Sequence, residues 1–250
     1  MNELRDALAA QHAELAALID PLSETQWRLP TRCEGWDIAD VVVHLHQTDV
    51  LGLASLRGEL TPDLESFMRA GGEGAIDDAA AASVAGERGA SGADVAARWN
   101  ASAAELRTEF ATVDPSARLQ WVVGTLSART LAATRLAECW IHSGDVADAL
   151  GIALVPADRL RHVARLAWRT LPYAFERSGE DLSGAVAFDL VGPTGAPWRF
   201  GTDVEAPTVV RGPGVDLCDV AGRRKAPGDT ALVATGPDAA AVLRLVRTYA

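Results

Sequence analysis

The sequence predicts an α+β protein in which a four-helix bundle precedes a smaller mixed domain. Three observations lead to this prediction. Residues 1–154 contain four long stretches with apolar residues at helical spacing. From about residue 155, short β-rich runs separated by Gly and Pro alternate with short helical stretches. A chain of 250 residues that is 48% hydrophobic is also long enough for two modest cores. We therefore predict a bundle over residues 1–154 and an α+β domain over residues 155–250.

Four amphipathic helices make up the predicted bundle. They cover about residues 3–19, 37–58, 92–110 and 127–150. Pro21 ends the first helix, and Asp37 can cap the second. Gly151 follows the fourth, as expected for the residue just past a helix C-terminus. One long crossover among four long helices is typical of a bundle.

Two of the segments that connect these helices have features of their own. Residues 23–27 predict a short helical turn. Residues 58–93 mix glycine, short alanine runs and acids, which predicts a mobile excursion that contains a helical piece. Long irregular insertions of this kind often cover a site.

The second domain has a different sequence texture. A helix is predicted over residues 158–175 and is followed by three short strands, GAVAFDLVG, APWRFGT and APTVVRG. The remaining predicted elements are a short helix over 214–222, a strand at TALVAT and a last helix over 238–249.

Composition and charge exclude several classes of function. The net charge of −11 disfavours binding to nucleic acid or to anionic membranes, which attract basic surfaces. The longest apolar runs are too short to span a bilayer, and the acidic N-terminal segment does not resemble a signal peptide. Three scattered cysteines form neither a disulfide framework nor a CxxC metal site. The expected location is therefore the cytoplasm, and the expected partner is a small molecule.

The fourth helix carries a polar pair at helical spacing. Glu138 and His142 in AECWIHSGDVAD are four residues apart, so their side chains share one face and can bind one ion. Asp145, three residues further, can orient His142 from behind, as metal-bound histidines require. Arg135 lies one turn before Glu138 on the same face. The alternative is a solvated surface or a half-buried hydrogen-bonded pair without a metal.

A second helix supplies a third donor. In VVVHLHQTD, His44 lies three residues after Val41 and faces the core, whereas His46 points about 160° away. His44 alone can be a core histidine with satisfied hydrogen bonds. Together, His44, Glu138 and His142 would form a two-histidine, one-carboxylate site for zinc or another divalent ion, with positions left open for water or substrate.

Two motifs resemble a known family. LPTRCEGWDIADVVVHL is similar to a tryptophan-containing loop followed by a helix with a metal histidine, and AECWIHSGDVADALG is similar to a second metal helix. Both occur in the mycothiol-dependent maleylpyruvate isomerase family, within the DinB-like metal-binding four-helix superfamily. ARLAWRTLPYAFERSG and DLCDVAGRRKAPGDTALVATG are most similar to an uncharacterised actinobacterial branch.

The resemblance has functional implications. It implies that His44, Glu138 and His142 bind a divalent metal, most often zinc, and that mycothiol serves as cosubstrate. In the isomerase, the thiolate adds to a cis double bond conjugated to a carbonyl, and rotation and elimination give the trans isomer. Three hypotheses follow: a thiol-dependent isomerase or S-transferase, a metal-dependent hydrolase or lyase without thiol, and a non-catalytic small-molecule binding protein.

Other residues are candidates for substrate contacts. Arg135, Arg223 and Arg224 can hold a carboxylate, since a guanidinium fork matches its geometry. For Arg223 and Arg224 the alternative is a plain surface loop. Cys33, in TRCEGW, either approaches the metal, acts as an internal thiol or is an inert loop cysteine.

Overall fold

A computed structural model describes residues 1–60, 72–122, 124–201 and 205–248. The chain divides into two compact units, Met1–Leu154 and Val155–Ala250. Within the described residues, the first unit is helical apart from a hairpin, and the second combines helices with a four-stranded sheet. This mixture of helix and sheet confirms the α+β fold class.

The first unit is built around four long helices. Its helices are α1 (Asn2–Ile19), α2 (Glu24–Trp27), α3 (Ile38–Arg57), α4 (Gly72–Ala85), α5 (Gly92–Thr112) and α6 (Ala128–Leu150). Helices α1 and α3 each pack against both α5 and α6, which confirms the predicted bundle. Its core includes the fully buried Leu15, Ile38, Leu45 and Trp99. Helix α4 is the helical piece expected within residues 58–93, and residues 61–71 lie outside the described residues.

Side-chain caps fix the ends of the two helices that matter most for function. The Asp37 carboxylate accepts the backbone N–H of Asp40, and the Asp40 carboxylate accepts that of Asp37, which starts α3 with a reciprocal capping box. Ser127 caps α6 by accepting the N–H of Thr130. Gly151 ends α6 with φ at 69°, a left-handed conformation that glycine adopts readily.

A hairpin between α5 and α6 was not predicted from the sequence. Strands β1 (Arg118–Trp121) and β2 (Gly124–Ser127) pair antiparallel, with Trp121 opposite Gly124. Leu119 and Trp121 are buried and alternate with exposed residues. Strands of four residues contain too little alternation for a sequence pattern to identify them.

The second unit contains one mixed sheet with helices. Its elements are α7 (Arg161–Ser178), β3 (Val186–Val191), β4 (Pro197–Phe200), β5 (Thr208–Pro213), α8 (Gly214–Ala221), β6 (Val233–Thr235) and α9 (Ala239–Leu245). The strand order is β4-β3-β5-β6. Strands β3 and β5 are parallel, and both edge strands are antiparallel to their neighbours. A 3-10 turn at Asp158–Leu160 precedes α7.

The last helix is shorter than predicted. Helix α9 ends at Leu245, whereas the sequence pattern predicted a helix to residue 249. Val246 leaves the helical conformation with ψ at 128°. The Thr170 hydroxyl then donates to the carbonyl of Arg247, and the N–H of Thr248 donates to the carbonyl of Ala221. These tertiary hydrogen bonds hold Arg247 and Thr248 against α7 and α8, which no local pattern reveals.

Among the described residues, none of the helices is both long enough and apolar enough to cross a membrane.

Candidate metal centre

Three predicted ligands from two helices meet in the bundle. His44 is on α3, and Glu138 and His142 are on α6. The Nε2 atom of His44 lies 2.8 Å from Oε1 of Glu138, and Nε2 of His142 lies 3.4 Å from the same oxygen. The two imidazole rings are edge to face, with centroids 5.1 Å apart. The structure therefore brings together the three side chains that the sequence selected.

These donors fit a divalent ion in both chemistry and spacing. One potential ligand atom from each residue lies within 4.8 Å of the others. Ligand atoms around a tetrahedral zinc ion at 2.0–2.1 Å are separated by roughly 3.3 Å, so only small side-chain movements would complete the site. Two imidazoles and one carboxylate are a common catalytic set, because a fourth position stays available for water or substrate.

The charge state of Glu138 suits a ligand. Burial alone would raise the pKa of this carboxyl, but hydrogen bonds from His142 and His44 hold its pKa well below the usual value. Glu138 is 6% exposed, so its negative charge is little screened by water. The site therefore offers a full anionic ligand to a cation at all physiological pH values.

Asp145 lies behind His142, on the side opposite Glu138. Its Oδ2 atom is 2.9 Å from Nδ1 of His142, and Asp145 is fully buried. Although burial lowers the pKa of His142, the bonds to Asp145, Cys33 and Glu138 raise it well above its usual value. The contact leaves Nε2 of His142 directed at Glu138, which is the arrangement that orients a metal-bound histidine.

Cys33 approaches the same carboxylate. Its Sγ atom lies 3.3 Å from Oδ2 of Asp145 and 4.0 Å from Nδ1 of His142. Cys139 and Cys218 are buried, and burial raises the pKa of both thiols. Cys33 is partly exposed, so among the three cysteines it is the one that small molecules can reach. Of the alternatives for Cys33, the structure matches the one in which it approaches the site.

The environment of His44 differs from that of His142. Burial lowers the pKa of His44, with only partial opposition from its hydrogen bond to Glu138. The ring of Trp36 lies 5.1 Å from that of His44, centroid to centroid. His46 points away, as its spacing predicted, and its Nδ1 is 3.0 Å from the hydroxyl of Ser102. A neutral His44 can bind a metal through Nε2 without a net loss of a proton, once the proton that Nε2 donates to Glu138 has moved to Nδ1.

Arg135 lies inside the bundle rather than at its surface. It is 2% exposed, and its Nε is 3.4 Å from Oδ1 of the buried Asp49 on α3. Arg135 therefore lies beside Asp49, and its predicted contact with a substrate carboxylate stays a prediction. Sequence reasoning overlooked Asp49, although it lies four residues after the buried Leu45 and four before the buried Leu53, so the helical period places it on the core face.

Asp49→Asn is expected to change the pH dependence of stability. Burial raises the pKa of Asp49 to about 7, and Arg135 opposes this only partly. The folded state therefore holds the proton more tightly than the unfolded state, and this contribution to stability falls as pH rises from about 4 to 7. We therefore compare the free energy of unfolding of wild type with that of Asp49→Asn. The first value minus the second should fall by up to about 1.4 kcal/mol per pH unit in that window and then level off.

Urea unfolding at several pH values checks this expectation. The exposed Asp148 provides the matched control, since Asp148→Asn removes the same charge from a solvated position. A pH-independent difference between wild type and Asp49→Asn would contradict the raised pKa.

His12 is a second buried polar residue without a predicted role. Its Nδ1 accepts a hydrogen bond from Nη1 of Arg107 at 2.7 Å, and its ring meets Trp99 edge to face. Burial and Arg107 lower the pKa of His12 to about 3. It is therefore a neutral core histidine.

Arg223 belongs to the second unit. It follows α8, is exposed and has φ at 58°. His44, Glu138 and His142 belong to the first unit, and the predicted contact of Arg223 with substrate stays a prediction.

Comparison with known proteins extends these observations. Residues 8–147 match the family described as Mycothiol maleylpyruvate isomerase N-terminal domain. An uncharacterized protein of Mycobacterium tuberculosis, found in strains CDC 1551 / Oshkosh and ATCC 25618 / H37Rv, is 32% identical over 245 residues. That alignment covers 97% of this chain and 93% of the relative.

Two crystal structures have a similar fold. One is of the mycothiol-dependent maleylpyruvate isomerase, and the other is of a histidine-to-alanine mutant of that enzyme. They match with TM-scores of 0.61 and 0.62 at 16% identity, covering 94% of this chain and 95% of theirs. Both domains of the chain therefore have a structural counterpart.

Proposed function

This chain belongs to the mycothiol maleylpyruvate isomerase family, and from that premise we propose that it is a metal-dependent enzyme that uses a small thiol. Its substrate would be a small electrophilic or unsaturated carboxylic acid, and its reaction isomerisation or S-transfer. The observation that supports this most strongly is the convergence of His44, Glu138 and His142, with Asp145 behind His142. Zinc is the proposed ion, mycothiol the proposed thiol and the cytoplasm the proposed location.

The donor set suits activation of a thiol. When bound, a divalent ion supplies Lewis acidity that favours the thiolate, which is the nucleophilic form. Glu138 contributes negative charge, which keeps the net charge of the loaded site low. The Asp145 carboxylate accepts a hydrogen bond from Nδ1–H of His142, so Nε2 is the nitrogen that would bind the metal once it has lost its own proton.

The proposed isomerisation needs no oxidant or reductant, because the substrate and the product have the same oxidation state. The thiolate sulfur forms a bond to one carbon of a cis double bond conjugated to a carbonyl, and the electron pair moves onto the conjugated system. Rotation about the resulting single bond follows. The carbon–sulfur bond then breaks, which restores the double bond in trans form and releases the thiolate. In S-transfer, the sulfur would instead stay on the electrophile and displace its leaving group.

An activity assay with two substrates tests the proposal. Zinc-loaded protein would be given mycothiol together with maleylpyruvate or with a fluorogenic alkylating electrophile. We expect cis-to-trans conversion or thiol transfer that requires both the metal and the thiol. Glu138→Gln should lose this activity.

Two results would contradict the proposal. Turnover of an acidic substrate without thiol would indicate a hydrolase or lyase in which bound hydroxide acts. Zinc-loaded protein that neither isomerises nor transfers thiol, while still binding these molecules, would indicate a binding protein.

A further inference from the structure

A second group of ligand-type side chains lies on the far side of His142. Cys33, Asp145 and His142 offer a sulfur, a carboxylate oxygen and a ring nitrogen that lie within 4.8 Å of one another. The nitrogen that faces Cys33 and Asp145 is Nδ1, whereas Nε2 of the same ring faces Glu138. This group and the proposed metal centre therefore use opposite nitrogens of one imidazole.

The distances within this group match those around a tetrahedral ion. Oδ2 of Asp145 lies 2.9 Å from Nδ1 of His142 and 3.3 Å from Sγ of Cys33, and Sγ lies 4.0 Å from Nδ1. Around a zinc-sized ion with nitrogen and oxygen at about 2.0 Å and sulfur at about 2.3 Å, such pairs are separated by roughly 3.3–3.6 Å. Each observed distance is within about half an ångström of the value that an ion requires.

The charges of the group also suit a divalent cation. A thiolate and a carboxylate together supply two negative charges, which balance one divalent ion without a further anion. Asp145 is fully buried, and its Oδ2 is directed at both Cys33 and His142. Protons on Sγ and Nδ1 now occupy the space between these atoms. A cation would displace both protons, as metal ions do when they bind thiol and imidazole ligands.

Hydrogen bonds within the loop before α3 hold Cys33 in place. The Thr31 side-chain oxygen accepts the backbone N–H of Cys33, and the Thr31 hydroxyl donates to the carbonyl of Trp36. The N–H of Trp36 donates in turn to the carbonyl of Cys33. Asp145 and His142 are three residues apart on α6, so the helix presents both to the loop. The three donors are therefore positioned without an ion.

The nature of the ligands indicates which ions would bind. Thiolate is a soft ligand that favours thiophilic ions such as zinc over magnesium or calcium. Cys33 is partly exposed, whereas His142 and Asp145 are buried, so solvent reaches the group from the sulfur side. Since one ligand is a partly exposed loop residue, we expect the ion to exchange readily and to be removed by dialysis.

We propose that Cys33, Asp145 and Nδ1 of His142 form a second cation position, which takes a thiophilic divalent ion. An ion bound there would link the loop before α3 to helix α6. This inference goes beyond the proposed function, because the position requires neither an added thiol nor the ligands His44 and Glu138.

Cadmium titration of metal-stripped His44→Ala protein tests this position. The variant lacks one ligand of the proposed metal centre and keeps all three ligands of the second position. We expect an ultraviolet thiolate-to-cadmium absorption that appears without added thiol and saturates at about one ion per chain. Because His44→Ala lacks the complete metal centre, the result does not depend on whether that centre activates a thiol.

Two further variants in the His44→Ala background identify the ligands. Cys33→Ser should abolish the absorption and weaken cadmium binding more than about 100-fold, which exceeds the usual effect of changing an outer-shell partner. Its partly exposed position means that the metal-free Tm should stay unchanged. Cys218→Ala removes a buried thiol of the second unit and should keep the absorption. Glu138→Gln provides a second background if His44→Ala does not fold.

Two results would overturn the proposal. One is an absorption that persists after Cys33→Ser, since it would then arise from another thiol. The other is a folded His44→Ala or Glu138→Gln protein that shows no thiolate-to-cadmium absorption at saturating cadmium.

Discussion

Replacing Glu138 with glutamine is expected to lower the affinity for zinc more than about 100-fold, which exceeds the usual effect of changing an outer-shell partner. Glutamine has nearly the same shape, so the packing of α3 against α6 should be preserved. The neutral amide oxygen is a weaker ligand than a carboxylate, and it leaves the charge of a divalent ion uncompensated inside the bundle. The fully anionic state of Glu138 makes this loss large.

Elemental analysis and thermal unfolding measure both parts of this expectation. Purified Glu138→Gln should contain little zinc and still unfold cooperatively after metal removal, like metal-stripped wild type. Glu176→Gln, at an exposed position in the second unit, is the matched control and should retain the metal. Wild-type zinc content in Glu138→Gln would remove Glu138 from the ligand set.

Asp145→Asn is expected to cost about 10- to 100-fold in metal affinity or activity without removing a ligand. The Asp145 carboxylate can only accept a hydrogen bond, so it holds a proton on Nδ1 of His142. Nε2 is then the nitrogen that would bind a metal, after losing the proton that it shares with Glu138. An asparagine amide can donate instead, which would allow the proton to move to Nε2. Asparagine would also alter the contact with the Cys33 thiol.

Competition with a chromophoric chelator measures this change in affinity. Asp148→Asn, three residues further along α6 and exposed, is the control for charge and should behave like wild type. If Asp145→Asn bound zinc as tightly as wild type and had the same activity, Asp145 would have no role in orienting His142.

Local signals made much of the bundle predictable. The apolar period of α1, α3, α5 and α6 placed the four helices, and Asp37 and Gly151 marked ends that the structure reproduces. The helical period also predicted the pair of candidate ligands on α6, because a spacing of four residues puts Glu138 and His142 on one face. That His44 meets them depends on how α3 packs against α6, and the sequence supported this only through the core-facing position of His44.

Other features depend on contacts distant in sequence. Asp49 and Arg135 meet across two helices, and neither position alone shows that the other lies beside it. Cys33 reaches Asp145 from a loop 112 residues away. Tertiary packing determines such contacts. The spacing of residues in the sequence therefore identifies candidate residues but not the partners that they contact.

The most direct test of the proposed function is spectroscopic titration of the cobalt-substituted protein with mycothiol. Cys33→Ser should be the parent protein, so that any sulfur-to-cobalt absorption arises from the added thiol and not from the cysteine beside His142. We predict about one cobalt per chain and a new near-ultraviolet thiolate-to-cobalt band that saturates with thiol, both absent when His44→Ala is added. A cobalt spectrum that does not change when thiol is added, or the absence of bound cobalt, would contradict a thiol-activating metal centre.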